Sequence, residues 1–538
     1  MNETDNTSDS PIQPDENNFL KKKSWILLSL FSALLLNLAF PYPGISFLAW
    51  IALVPLFLVI MTGNLKRAIL SSIITGLAFN IVYIIWMKEY KHPAALSGGV
   101  FTEMLFFFFS VILSRFLFKN LKLKRFQFLR VFALAFGWVS IDYLKTIGFL
   151  GFPWGILGYS QYDNLALIQS ASVFGVWGID FIIVFSNAAA AAVIIGLLKD
   201  KKLKGNTVNI IVAAVLCAVS LITGYNKISE GKKQNFKTVR VALIQANFDP
   251  WSPDLRGNIR TEFELTREAL EFDPELIVWS ESSVPFLYEY YLKRDHEVAR
   301  EIDNFIVSLG IPFLFGTIEY GDKDAEESFR GNYYNVAVYY NNGKLDDVYR
   351  KIHLVPFGEW FPYKKIFPFV ATILDKAGAG DFTPGEEYVV FDVGDFKFSV
   401  LICFEDAFGD LTRKFKLDGP GFFINVTNDA WTGSRKAEVQ HFSISIFRTI
   451  ENRRSLVRAA NGGVTACVDP YGKVLDSIEL FTTDFLVCDV PVIESEITTI
   501  YSRYGDFLPK IFVILIMIEI FYVITKKMID RKKKKNKM

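Results

Sequence analysis

Apolar residues gather in long blocks over the first part of the chain and once more near its end. The long runs are Trp25 to Phe40, Ile45 to Met61, Ala68 to Trp86, Val100 to Phe118, Phe126 to Leu144, Phe174 to Leu198, Val208 to Thr223 and Phe507 to Ile524. A membrane-crossing helix needs about 20 predominantly apolar residues. The pattern therefore predicts a helical bundle of eight spans, two of them extending slightly into their flanks. Between the seventh and eighth runs the period changes. Residues 239–245, 275–280, 312–316, 333–340, 396–403, 422–428, 455–461 and 463–469 predict strands, and residues 255–272 and 439–452 predict helices. Asn341-Asn342-Gly343 marks a hairpin turn. Apolar strands alternating with helices predict an α/β domain whose sheet is covered by helices.

The flanks of the runs are sorted by charge. With the N-terminus inside, the inner segments carry Lys21 to Lys23, Lys66 and Arg67, Arg115 to Arg130, Lys199 to Lys204 and the Lys-rich tail from Lys526. The short outer loops hold only Lys88, Lys91 and Lys145. Basic residues favour the cytoplasmic side, so one topology is selected, with the α/β domain outside. The expected organisation is a polar cytoplasmic tail (1–23), a seven-span membrane domain (24–224), an extracytoplasmic domain (225–506), an eighth span (507–525) and a basic cytoplasmic tail (526–538). The first run ends in Phe40-Pro41-Tyr42-Pro43-Gly44 without a small-residue cleavage pattern, so it reads as a retained span.

Composition narrows the class. Hydrophobic residues make up 51%, charged residues 21%, and the formal net charge is +1, which gives no case for nucleic acid. Four cysteines cannot build a disulfide framework. Cys217, Cys467 and Cys488 sit in apolar or strand-like runs and are expected in the core. There is no CxxC, and the four histidines are scattered, so no metal site is expected.

Three stretches carry chemistry, each at or just beyond a strand end: Trp279-Ser280-Glu281-Ser282, Tyr349 to Glu359, and Leu401-Ile402-Cys403-Phe404-Glu405-Asp406. A carboxylate, an ammonium and a thiol brought together above a sheet supply a general base, an oxyanion stabiliser and a nucleophile. His353 and His441 read as structural groups. Glu103, Asp142 and Asp180 lie in apolar runs, where carboxylates are costly and serve paired or functional roles. Trp154 and Tyr159 suit an interfacial aromatic belt.

Glu281, Lys351 and Cys403, in this order and context, resemble the carbon–nitrogen hydrolase (nitrilase) superfamily, and Asn425 to Trp431 and Arg458 to Val464 add to the match. The arrangement of the whole chain resembles the bacterial apolipoprotein N-acyltransferases. Phe152-Pro153-Trp154, Gly158 to Gln161, Phe174 to Asp180 and Thr499 to Asp506 resemble that family's membrane part and the approach to its last span. The resemblance implies an αββα nitrilase-like sandwich in the periplasm, on a multi-pass protein of the bacterial inner membrane. It implies that Glu281 is the general base, Cys403 the nucleophile, and Lys351 the oxyanion stabiliser, helped by the Phe404 N–H. Glu359 matches a second essential glutamate, Glu405 the acid two residues past the nucleophile, and Trp251 a tryptophan of a lipid-side loop. Phe404 stands where the family usually has Tyr, and Ser280 replaces a common Pro.

The implied activity is acyl transfer from a phospholipid through a Cys403 thioester to the N-terminal amine of a diacylated apolipoprotein. It is the last step of lipoprotein maturation, with no cofactor, in a monomer set among membrane lipid. The Phe-, Pro- and Gly-containing segment 360–380 is expected to form a lipid-facing lid. A membrane-tethered amidase would need one span, and a transporter with a degenerate outer domain would show paired, broken helices. The chain has eight runs and no such pairing.

Overall fold

The computed structural model describes residues 24–90, 93–120, 129–200, 207–251, 254–321, 332–370, 372, 380–493 and 498–535. The expected N-terminal tail lies outside the described residues, as do parts of the expected lid. Five helices are long and apolar enough to cross a membrane: Leu65–Tyr83, Ala95–Asn120, Val176–Leu198, Thr207–Lys232 and Phe507–Lys533. The other three expected runs are also helical but shorter. Ser24–Ala39 and Leu129–Leu144 have 16 residues each, about 24 Å at the α-helical rise. Ser46–Thr62 begins as a 3₁₀ turn and restarts at Val54, with Pro55 in its first turn. Two further four-residue helices, Leu165–Ile168 and Ala171–Phe174, fold into the bundle where the sequence pattern indicated none. The helix from Thr207 runs on to Lys232, and the one from Phe507 continues into the basic tail as far as Lys535.

Two six-stranded sheets make up the rest. The first has the order β12-β1-β2-β3-β4-β5 and the second β11-β10-β9-β8-β7-β6. The strands are β1 (Lys237–Gln245), β2 (Leu276–Val278), β3 (Phe313–Tyr320), β4 (Tyr333–Asn341), β5 (Lys344–Arg350), β6 (Phe391–Val393), β7 (Phe396–Ile402), β8 (Phe422–Thr427), β9 (Ser455–Ala460), β10 (Ala466–Val468), β11 (Val474–Ser477) and β12 (Asp484–Val492). At the centre of each sheet the pairing is parallel: β1 with β2 and β2 with β3, β7 with β8 and β8 with β9.

The apolar runs are continuous because both faces of these strands are buried. In β1, Val239, Val241 and Leu243 join the core shared with the second sheet, while Ala242 and Ile244 pack into a separate core with Phe263 and Phe305. Those two phenylalanines come from the helices Leu255–Ala269 and Glu297–Leu309. Behind the second sheet, Phe442, Ile446, Phe447 and Ile450 of the helix Arg435–Asn452 join one core with the membrane helices. This helix–sheet–sheet–helix layering is the nitrilase-like sandwich expected from the resemblance.

One expectation is corrected. Cys467 and Cys488 are not separate core thiols but a disulfide joining β10 to β12, with Cα atoms 6.8 Å apart. The strands belong to different sheets, so their proximity follows from the stacking and not from sequence spacing.

Candidate active site

The turn that bears Cys403 is strained. Cys403 follows β7 directly and has φ of +53°, a left-handed conformation that costs a non-glycine residue energy and recurs at functional sites. The Asn425 side-chain amide on β8 donates to the Cys403 carbonyl at 3.0 Å and holds the turn. Glu405, fully buried, accepts from the Ile402 N–H at 2.8 Å, the Tyr349 hydroxyl at 2.8 Å, and the N–H groups of Ile352 and His353 at 2.7 and 2.9 Å. One carboxylate thus ties the Cys403 turn to the segment that carries Lys351. Burial raises its pKa to about 7, against the pull of the Ile402 and His353 N–H groups.

Lys351 emerges from β5 and is 1% exposed. Its ammonium donates to Glu359 Oε1 at 2.9 Å and Glu281 Oε1 at 3.4 Å. Asn335 on β4 repeats this bridge. Its amide donates to Glu281 at 2.8 Å and Glu359 at 2.9 Å. The remaining oxygens accept from backbone, Glu281 Oε2 from Asn428 N–H at 2.9 Å and Glu359 Oε2 from Val355 N–H at 2.7 Å. Burial opposes the Lys351 charge, but the Glu359 and Glu281 carboxylates outweigh it and hold the ammonium well above its usual pKa. Burial and the Glu281 carboxylate push the Cys403 thiol well up, against the pull of Lys351. The resting site is therefore a thiol beside a permanent cation, and the thiol needs a base when it attacks.

Phe404 is buried in an aromatic stack, with Trp154 at 5.6 Å, Phe152 at 6.4 Å and Phe408 at 4.9 Å between ring centroids. Trp154 and Tyr159 are 3% and 4% exposed. They do not form an exposed belt: Trp154 stacks on Phe404 in the Cys403 turn, and the Tyr159 hydroxyl meets the Arg448 guanidinium at 3.3 Å. Trp251 is 56% exposed, and its N–H donates to the Asp249 side chain.

His441 is more than a local group. Its ring bridges Asp406 at 2.8 Å and Asp429 at 3.2 Å, and Arg458 pairs with both of these carboxylates. Burial and Arg458 disfavour the imidazolium, yet Asp406 and Asp429 raise its pKa to about 9. His353 stays neutral, lowered to about 4 by burial and Lys351, with its ring 3.9 Å from Phe408.

Glu103 and Asp142 pair with Lys145 at 3.4 and 3.7 Å, and Lys145 also donates to the Trp154 carbonyl at 2.7 Å. Among the described residues no side chains cluster as metal ligands. Asn335 and His441 lie outside the motifs, whereas Tyr349, Asp406, Asp429 and Arg458 lie within them; the partners of all six arise only from packing.

The comparisons with known proteins follow the same division of the chain. Residues 32–189 match the Apolipoprotein N-acyltransferase N-terminal domain, and residues 240–496 match the Carbon-nitrogen hydrolase family. Apolipoprotein N-acyltransferase 1 of Treponema denticola is 32% identical over 96% of this chain and 99% of its own. The chain belongs to the apolipoprotein N-acyltransferase family. The Geobacter metallireducens member is 34% identical, covering 89% of this chain and 91% of that one, and the Borreliella burgdorferi member is 31% identical, covering 91% and 94%. Family membership and the nitrilase-like sandwich make the protein a membrane acyltransferase. They also give reason for membrane loops, through Trp154 and Phe152, to build part of the site.

Proposed function

We propose that the protein transfers an acyl chain from a phospholipid to the N-terminal amine of a diacylated apolipoprotein, by a ping-pong mechanism through Cys403. The observation that carries this reading is the Lys351 ammonium held between Glu281 and Glu359 beside a strained cysteine turn. Glu281 takes the thiol proton as sulfur attacks the ester carbonyl. Lys351, with the Phe404 N–H, stabilises the oxyanion. The ester oxygen leaves as the lysophospholipid alcohol and takes the proton back. The acceptor amine, after losing its ammonium proton, then attacks the thioester carbonyl, passes a second proton to Glu281 and expels the thiolate, which Glu281 reprotonates. The product is an amide and the free enzyme.

In this reading the chain crosses the inner membrane eight times and the α/β domain lies on the periplasmic face, where both lipids are at hand; the sorting of lysines and arginines along the chain supports it. The disulfide of that domain supports an oxidising compartment. The segment from Trp360 closes over the site as a lid. Phe149 of the membrane part packs against Phe357, Trp360, Phe361 and Tyr363 at 5.2–6.1 Å, and Ile366 and Phe369 stay exposed, which suits a lipid-facing surface. The working unit is a monomer. The test is to incubate purified protein with phospholipid and a diacylated lipopeptide. A triacylated product detected by mass is expected. Hydrolysis of the thioester with no amide formed would defeat the reading.

A further inference from the structure

The loop between the helices Leu65–Tyr83 and Pro93–Asn120 runs through a 3₁₀ turn, Ile85–Glu89, which Tyr90 follows directly. This loop belongs to the membrane part, yet the Tyr90 side chain lies at the catalytic centre. The Tyr90 ring meets Trp431 edge-on at 5.2 Å, and Trp431 in turn meets Trp86 at 6.1 Å. The hydroxyl sits directly on the backbone of Gly358, the neighbour of Glu359. A Cβ added at Gly358 would lie 2.1 Å from the Tyr90 oxygen. Only glycine leaves room for the hydroxyl there.

Nothing in the site needs this hydroxyl for its own satisfaction. Glu359 already accepts from Lys351 and Asn335 on one oxygen and from Val355 on the other. The Tyr90 backbone N–H donates to the Met87 carbonyl at 3.3 Å, and the hydroxyl has no hydrogen-bond partner among the described residues. Burial, and then the Glu359 charge, push its pKa up to about 12, so the group is a neutral phenol able to donate. A ready donor beside the catalytic lysine, presented by a loop between two of the apolar helices, calls for a ligand acceptor.

Resting on the acyl-transfer reading above, we propose that the Tyr90 hydroxyl is a substrate-binding group that donates to the ester carbonyl of an acylglycerol. Donor phospholipid and diacylated acceptor share this linkage, so the subsite serves one or both. It also makes Gly358 a spacing residue whose missing side chain defines the pocket.

Binding tests this separately from turnover. The dissociation constant of a short-chain diacyl phosphatidylethanolamine is measured on full-length Cys403→Ser protein with and without Tyr90→Phe, which keeps the ring against Trp431. A diacylglyceryl-cysteine lipopeptide forms the second arm, and a dialkyl-ether phospholipid, which lacks the carbonyl, is the control. Tyr90→Phe is expected to weaken at least one ester ligand about tenfold, the scale of one lost hydrogen bond, and to leave the ether ligand unchanged. The affected arm identifies the substrate held. Gly358→Ala is expected to weaken the same ligand in the parent and far less in Tyr90→Phe, where the colliding oxygen is gone. Equal binding of both ester ligands by Tyr90→Phe, or a Gly358→Ala loss of equal size in both backgrounds, would overturn the proposal. Thioester formation on Cys403 in the unmodified protein reports on the transfer reading by itself.

Discussion

The Phe404 ring lies nearly parallel to the Trp154 indole, with centroids 5.6 Å apart and planes inclined by 17°. The residue beside Cys403 is thus seated on a loop of the membrane part. Its position depends on the ring more than on any para substituent. Phe404→Tyr is expected to change single-turnover thioester formation by less than about tenfold, or ~1.4 kcal/mol. Phe404→Ala leaves a void beside Cys403 and should cost more, and Trp154→Ala should move the rate in the same direction. A Phe404→Tyr protein hundreds of times faster than its parent would show that a missing hydroxyl limits the chemistry.

Asn335 holds both Glu281 and Glu359 with one amide. Asn335→Leu leaves each carboxylate one donor short at a buried site, a loss of about 1–3 kcal/mol. Acylation of Cys403 by phospholipid should slow by about 10- to 100-fold while the protein stays folded. The check is intact-protein mass against time, with thermal unfolding measured on the same sample.

Glu262 is fully buried on the helix Leu255–Ala269, and neither carboxylate oxygen has a partner among the described residues. Burial holds its pKa well above the usual carboxylate range. The native state therefore keeps a proton that the unfolded chain has already released. Stability is highest below the unfolded pKa and falls as pH rises toward the folded value, by about 1.4 kcal/mol per pH unit. Glu262→Gln should remove that slope. Its melting temperature should exceed the parent's by a margin that grows from pH 5 to pH 7, and a constant margin would contradict the assignment.

The Cys467–Cys488 bond closes a loop of 21 residues. The Cys467→Ala, Cys488→Ala protein is expected to lose about 3 kcal/mol, seen as a lower unfolding midpoint. A thiol reagent applied to the denatured, unreduced parent should label Cys217 and Cys403 alone. Labelling of all four cysteines would rule out the bond.

The sorted lysines and arginines fix an expected topology. A reporter active only outside the cytoplasm should work when fused after residue 234 and fail when fused after residue 202 or 530. The opposite pattern would put the α/β domain inside.

The parts of the fold legible in the sequence are those whose side chains are buried on both faces. β8, Phe-Phe-Ile-Asn-Val-Thr, is buried throughout and announces itself as a strand. β5, Lys-Leu-Asp-Asp-Val-Tyr-Arg, is an exposed edge with no such signal, and β11 is exposed along its whole length. Glu281, Lys351, Cys403 and Glu405 are legible because each sits just past a strand end within a short motif, and Glu359 because it closes the motif that begins at Tyr349. Asn335 is not, because its role depends on Lys351 N–H meeting the Asn335 carbonyl across neighbouring strands at 2.9 Å. Tyr90 and Trp154 reach the site across hundreds of residues of chain, and no local pattern encodes that. Trp251 had only a loose motif behind it, and the fold leaves it on the surface.

Glu405 has a mechanical consequence. Lys351 leaves the first sheet and Cys403 leaves the second, and the Glu405 carboxylate grips both exits at once. The seam between the sheets is therefore also the gap between cation and sulfur. A shearing motion of one sheet past the other would have to break these bonds before it could misalign the two groups. A substitution anywhere along the seam, far from any substrate, would then act as a change in gauge, altering the reach of the ammonium without touching a reacting atom.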